Sequence, residues 1–247
     1  VIEPPGITLL PISDIGLSHQ ALGDRISTGL AGLDDLIGGG FRRASSVLIT
    51  GSTGSGKTTL CSAFTQTACA RGEKVLCLNF EESEAALVSA MLSSGTDLSP
   101  AIANGKLRLL TAMPEAMGAE QHLVRVLNAI KQMQPSCVVL VSASACKRMG
   151  TEQAAFEYMM RMINTCKEMG IIILITNQTI GLSKLEEISG IGISSLIDSV
   201  IQMQLVADAG VMQRKLLVVK SRGSVHSHRY HDFCISDHGI AILQEDV

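Results

Sequence analysis

Short apolar runs of strand length alternate along this chain with longer stretches whose apolar residues recur every three or four positions. Residues 46–50, 74–80, 106–112, 137–141 and 171–177 are the runs, and their dense Val, Ile and Leu content predicts buried strands. Residues 57–70 and 83–92 fill two of the gaps as helices. Leu123, Leu127, Ile130 and Met133 mark the face of another helix, and Phe156, Met159, Met160, Ile163 and Cys166 that of a fourth. Methionines at that spacing fill a core rather than line a cofactor pocket. Alternation of this kind predicts an α/β domain, a mostly parallel sheet flanked by helices. After Asp198 the alternation stops. Residues 199–207, 214–222 and 228–236 read as strands only, which predicts a C-terminal antiparallel extension of the sheet.

Ahead of the pattern, the prolines and glycine of "VIEPPGITLLP" favour extended backbone, so residues 1–25 read as a connector and residues 26–247 as one domain. That connector, together with a first residue of Val, gives the expectation of a piece cut from a longer chain. A helical turn around residues 33–37 runs into three successive glycines.

Composition narrows the function classes. With 247 residues the chain can bury a substantial core, and its longest apolar runs, such as "GIIILIT", are far too short to span a bilayer. A soluble, cytoplasmic chain with no membrane partner is expected. A net charge of −3 and an aromatic content of 3% supply neither the field nor the stacking platforms of a nucleic-acid binder. Seven cysteines are scattered, without a CxxC, and mostly within apolar segments, so buried reduced thiols are expected rather than disulfides or zinc.

"GSTGSGKTT" is the strongest chemical signal. Gly51 to Thr58 fits G-x-x-x-x-G-K-[ST], directly after one predicted strand and opening a predicted helix. Glycines let backbone N–H groups curl around phosphate oxygens, and the helix amino end adds partial positive charge. Lys57 is placed to reach the β- and γ-phosphates, and the Thr58 hydroxyl to ligate Mg²⁺. Small-molecule kinases start at such a loop, whereas fifty residues precede it here.

In "LNFEES" the next strand ends in Glu81 and Glu82. A carboxylate at that edge can face the γ-phosphate and orient or deprotonate a nucleophile; the same pair can also serve only as helix-entry charge before the cap Ser83. In "VVKSRGS", Lys220 and Arg222 stand two apart on a strand and share a face, which suits a phosphate contact or, equally, a solvated strand edge. His226, His228 and His231 are close in sequence, and the first two share the predicted strand face. No Cys or carboxylate completes a metal set, leaving a solvated or nucleotide-edge role.

Together "ISTGLAGLDDLIGGGF", "GSTGSGKTT", "NFEES", "PEAMGAEQHL" and "VVKSRGSVHSHRYHDFCISDHGI" resemble the KaiC family of circadian-clock ATPases in the RecA superfamily, from about Ser27 to Ile240 and most like the second of its two tandem domains. The resemblance implies a RecA-like P-loop core assembled as a homohexameric ring with ATP and Mg²⁺ between subunits, and clock or signalling proteins as partners. It implies that Ser52, Thr53, Gly54, Ser55, Gly56, Lys57, Thr58 and Thr59 hold the phosphates, that Thr58 and Glu81 face the metal, and that Glu81 and Glu82 are the catalytic pair. It further implies that Arg214, Lys220, Ser221, Arg222, Ser224, His226 and His228 contact a neighbour's nucleotide. "GISSLIDS" aligns with the family's autophosphorylated segment, so Ser194 and Ser195 match the acceptors, with Ser in place of Thr at the second, and Ser189 matches a nearby Thr.

One position departs. Where the family places an aspartate at the end of the strand read over residues 137–141, this chain has Val141, and no Asp or Glu lies between Glu120 and Glu152 to replace it by a shifted register. Loss of that acid weakens metal retention and the neutralisation of charge in phosphoryl transfer, so slow chemistry is expected while nucleotide binding survives. Three functions remain in play: a slow ATPase that phosphorylates itself on serine, a nucleotide-gated assembly scaffold, and a DNA-handling relative of the RecA and RadA recombinases.

Overall fold

The computed structural model describes residues 2–3, 6–7, 22–179, 192–208 and 210–243. Most of the expected connector and Ser189 lie outside the described residues; the connector is described at a short antiparallel pair, β1 (Ile2–Glu3) and β2 (Gly6–Ile7), and again at residues 22–25. The domain proper opens with β3 (Arg25–Ile26), the short helix α1 (Ala31–Leu36) and β4 (Phe41–Arg42), which pairs back onto β3. At Gly40 the backbone is left-handed and a Cβ would lie 2.2 Å from the Ile26 carbonyl oxygen, so only glycine lets the turn close against β3.

Then the alternation begins: β5 (Ser46–Gly51), α2 (Lys57–Ala70), β6 (Val75–Asn79), α3 (Glu84–Ser93), α4 (Ser99–Ala103), β7 (Leu107–Thr111), α5 (Ala119–Met133), β8 (Cys137–Val141), α6 (Ala143–Cys146), α7 (Glu152–Glu168) and β9 (Ile172–Gln178). The chain finishes with β10 (Ser199–Asp208), β11 (Val211–Ser221), β12 (Tyr230–Ser236) and β13 (Gly239–Ile242). Nine strands form one sheet in the order β13-β12-β11-β10-β5-β9-β8-β6-β7. Side chains of β5, β6 and β8 are buried along their full length because helices cover both faces. One face packs Phe64, Leu60, Val139 and Leu216, with Phe64 and Phe41 rings 5.6 Å apart; the other packs Leu140, Tyr158, Met159 and Ile173. Each such buried side chain contributes about 1.5–3 kcal/mol relative to exposure. On the expected face of α7, Met159, Ile163 and Cys166 are fully buried, whereas Met160 and Phe156 are only partly buried and Met162, which was not expected, is core instead.

Two expectations need correction. The strand at residues 199–207 is not antiparallel to the core. β10 runs parallel to β5, Ser199 beside Val47 and Met203 beside Gly51, and the antiparallel part begins only with the β10–β11 hairpin. Residues 222–229 form no strand, so Arg222 sits in the turn after β11, and His226 and His228 lie in an irregular segment. Backbone hydrogen bonding there goes to the front of the domain instead, Ser227 N–H donating to Leu36 O at 2.9 Å. Helices α4 and α6 and strand β13 are too short to leave a period in the sequence.

Candidate functional site

The carboxyl ends of the parallel strands meet at one edge of the sheet, where open α/β domains bind ligands. A cavity of about 370 Å³ opens there, floored by Thr53, Gly54, Gly56, Lys57, Thr58 and Thr59 and walled by Glu81, Glu82, Ser142, Thr176, Gln178, Arg214 and Ile235. The loop after β5 owes its shape to glycine. Gly54 and Gly56 are left-handed (φ +79° and +100°), and a Cβ on Gly56 would lie 2.6 Å from Ile235 Cδ1. The 14-residue α2 begins directly after Gly56, so its first amides lack helical carbonyl partners and face the loop. Lys57 Nζ donates to Gly51 O at 2.8 Å and Ser52 O at 2.7 Å, tying the loop across itself. Burial lowers the pKa of this amine, and the nearby Glu81 carboxylate opposes that shift.

Asn79 organises the acidic wall. It is buried at the end of β6, and its Oδ1 accepts from the N–H groups of Glu81 (2.9 Å) and Glu82 (3.2 Å), turning the chain so that both carboxylates meet the cavity. Helix entry is handled one residue later, where Ser83 Oγ accepts from Ala86 N–H. Glu81 Oε1 accepts from Ser142 Oγ, and Ser142 Oγ is 2.8 Å from Ser144 Oγ. Val141 is only 4% exposed and packs into the core, beside Asn79 in the β6–β8 register. Asn79 Nδ2 is buried there without a hydrogen-bond partner. A buried amide donor is thus left unpaired beside an apolar side chain at the end of β8.

The cavity suits a nucleoside triphosphate: backbone amides and Lys57 on one side, and on the other Arg214, whose Nε is buried and unpartnered. It also offers hard oxygen donors for Mg²⁺ in the Thr58 hydroxyl and the Glu81 carboxylate. Among the described residues no cluster of three or more His, Cys, Asp or Glu is placed to hold a metal, the three histidines included.

The remaining expected site residues lie elsewhere. Only Arg214, at the β11 position opposite Leu205, is at this edge; Ser221 and Lys220 pair with Ser199 and Val200 near the other end of the parallel strands. Along β5 that separation, Val47 to Gly51, amounts to about 13 Å. At that far end a buried carboxylate, Asp198, receives Lys167 Nζ at 2.7 Å, Ser46 N–H at 3.0 Å and Arg222 Nη1 at 3.4 Å. Lys220 Nζ donates to Ile197 O at 2.6 Å, and Arg222 Nη2 reaches Ser195 O at 3.5 Å. Burial lowers the Lys220 pKa, with Arg222 adding to the shift and Asp198 opposing it. Ser194 and Ser195 sit in the single 3₁₀ turn, Ile193–Ser195, that this cluster grips. Ser224 Oγ accepts from Arg25 Nη2 at 2.6 Å; the His226 and His228 rings meet at a tilt of 58°, their centroids 4.5 Å apart, and His231 Nε2 meets Ser227 Oγ at 2.6 Å.

Sequence reasoning missed Asn79, Ser142, Thr176 and Ile235. The first two had a signal: each ends or follows a strand whose neighbour carries the expected chemistry. Ile235 had none, because it reaches the loop only through the sheet's antiparallel strands.

A family model described as "ATPase: KaiC" matches residues 26–247. Circadian clock protein KaiC2 of Synechocystis sp. is 35% identical over 246 residues, 99% of this chain and 43% of that protein. Circadian clock oscillator protein KaiC of Picosynechococcus sp. is 35% identical over 241 residues, 98% of this chain and 47% of that protein. That of Synechococcus elongatus is 33% identical over 238 residues, 96% and 46% of the two. The chain thus spans less than half the length of these relatives. No helix among the described residues is long and apolar enough to cross a membrane.

Proposed function

The chain belongs to the KaiC family of ATPases, and on that premise we propose that it binds ATP with Mg²⁺ between copies of itself in a ring, hydrolyses it slowly and phosphorylates itself on Ser194 or Ser195. The observation that carries the reading is the separation within one chain. The phosphate loop and its two glutamates stand at one end of the sheet; the cations Lys220 and Arg222 and the candidate acceptor turn stand together at the other. One copy cannot close that gap, whereas a head-to-tail neighbour can, and a repeated head-to-tail contact closes into a ring. Across such a contact a serine hydroxyl attacks the γ-phosphorus, the bond to the β,γ-bridging oxygen breaks, ADP leaves, and the hydroxyl proton passes to a glutamate. Mg²⁺ would neutralise the phosphate charge, with Thr58 and Glu81 as its protein-side oxygens. Clock or other signalling proteins are the partners this reading favours, through its similarity to circadian clock proteins.

A second reading, a scaffold in which ATP only cements the copies, draws on Val141, which removes a carboxylate from the metal side of the cavity. Incubation with Mg-ATP, native mass spectrometry and phosphate mapping separate the two. Phosphate on Ser194 or Ser195, lost on Glu81→Gln with Glu82→Gln, is expected. ATP-dependent oligomers with neither phosphoserine nor released phosphate would leave the scaffold standing instead.

A further inference from the structure

Resting on the reading that the cavity takes a nucleoside triphosphate with a divalent cation, we infer that Ser142 is a positioning residue, whose hydroxyl holds the Glu81 carboxylate at the head of β8 where Val141 supplies no acid. Glu81 is then the carboxylate presented to the cation, and Glu82 is left to act on the nucleophile's proton. Four observations converge on this. Ser142 is 2% exposed, follows β8 directly, and lines the same cavity as the loop. Its Oγ donates to Glu81 Oε1, and since a hydroxyl has one proton, the 2.8 Å contact with Ser144 must run the other way, Ser144 donating to Ser142. A relay of two hydroxyls thereby ends on one carboxylate oxygen and strengthens as it polarises. The same Oγ accepts from Ala145 N–H at 3.4 Å as α6 begins, which restricts the rotamer that serves Glu81. Glu82, by contrast, has no hydrogen bond to its carboxylate among the described residues, so the two adjacent acids are physically unlike. Carboxylates that orient toward a metal are commonly fixed by such an outer hydrogen bond, and losing it costs metal affinity.

The test reads metal binding rather than turnover. Mn²⁺ affinity is measured by electron paramagnetic resonance on the chain saturated with ADP, and ADP affinity is measured separately in EDTA. Ser142→Ala is expected to weaken Mn²⁺ about 10-fold with metal-free ADP affinity unchanged. Ser142→Thr, which keeps the hydroxyl, is expected to retain most of the affinity, so misfolding of the alanine variant cannot imitate the result. In a Glu81→Gln background Ser142→Ala is expected to add nothing, since the two residues act as one unit. Unchanged Mn²⁺ affinity in Ser142→Ala, an equal loss in EDTA, or a further full loss in the Glu81→Gln background would each overturn the inference while leaving nucleotide binding intact. Failure of the unaltered chain to bind ADP at all, with or without metal, would overturn the nucleotide reading, and this inference with it.

Discussion

The two ends of the sheet are built on opposite terms. At the phosphate-loop end the recognising groups are backbone amides held by glycines, the charged side chains are exposed or half-buried, and three buried polar atoms, Ser55 Oγ, Asn79 Nδ2 and Arg214 Nε, have no hydrogen-bond partner. At the far end the charges are paired and anchored: Asp198 is buried among Lys167, Arg222 and the start of β5, Arg222 bonds the Ser195 carbonyl at the end of the candidate acceptor turn, and Lys220 bonds the Ile197 carbonyl just after it. In the proposed ring one end is a receptor that a ligand completes and the other a tool offered to the neighbouring copy. Because Ser46, at the start of β5, is hydrogen-bonded to Asp198, the strand that carries the phosphate loop is also seated on that far-end cluster. On that reading the chain gains most of its chemistry only in contact with another copy.

Removing the seat is the harshest way to break the comparison. Asp198→Ala leaves Lys167 buried without a counter-charge and is expected to cost about 3–5 kcal/mol in urea unfolding. Asp198→Asn, which can still accept from the Ser46 N–H, is expected to cost less. Equal stability of Asp198→Ala and the parent chain would mean that the far end is not anchored as described. At the receptor end the largest loss is in binding. Lys57→Ala removes charge-assisted hydrogen bonds to the phosphates and is expected to weaken a fluorescent ATP analogue about 10–100-fold, with unfolding little changed because Lys57 ties only loop carbonyls.

Legibility in the sequence followed the same divide. The strands of the parallel core and their order of alternation could be read because full burial writes an unbroken apolar run; residues 137–141 match β8 end to end. The phosphate loop was readable because its function is carried by backbone, so the glycines themselves are the signal. The far end was not. Lys220 and Arg222 sit on a motif, but their tie to Asp198 and to the acceptor turn depends on β10 running parallel to β5, and strand direction leaves no mark in composition. Ser142 and Asn79 left only a positional signal at strand ends: the bond from Ser142 to Glu81 crosses from the neighbouring strand, and the bonds that Asn79 accepts from Glu81 and Glu82 depend on the turn after β6.

Mixing variants sharpens the comparison further. Lys57→Ala lacks a competent receptor, and Lys220→Ala with Arg222→Ala lacks the tool, so neither alone is expected to hydrolyse ATP. In a random mixture of equal amounts about one interface in four unites an intact loop with intact cations, and about a quarter of the parent ATPase activity is expected to return. Arg214→Ala mixed with Lys57→Ala is expected to recover nothing, since both residues line one cavity and no chain in that mixture carries both. No recovery in the first mixture would place Lys220 and Arg222 outside the site.

The smallest effect on activity is expected from restoring the acid, and it touches the receptor end alone. Val141→Asp places a carboxylate at a buried position, 4% exposed, which costs about 3–5 kcal/mol if it stays charged and unpaired. The neighbouring Asn79 Nδ2, buried and unpartnered, can donate to the new carboxylate, so the apo stability should fall by the lower part of that range. With Mg-ADP bound the carboxylate gains a cation, and binding stabilises only the folded state, so the gap in melting temperature between apo and Mg-ADP forms should widen relative to the parent. Turnover should rise by a few-fold, because the added acid helps to hold charge that Thr58 and Glu81 hold without it in the parent chain. Paired with Ser142→Ala, the same substitution should also blunt the loss of Mn²⁺ affinity, since the cation no longer depends on a carboxylate steered from the next strand. If Val141→Asp leaves both the melting gap and turnover where they were, the acid at the end of β8 is not what limits this site, and the slowness expected of it must come from how copies meet.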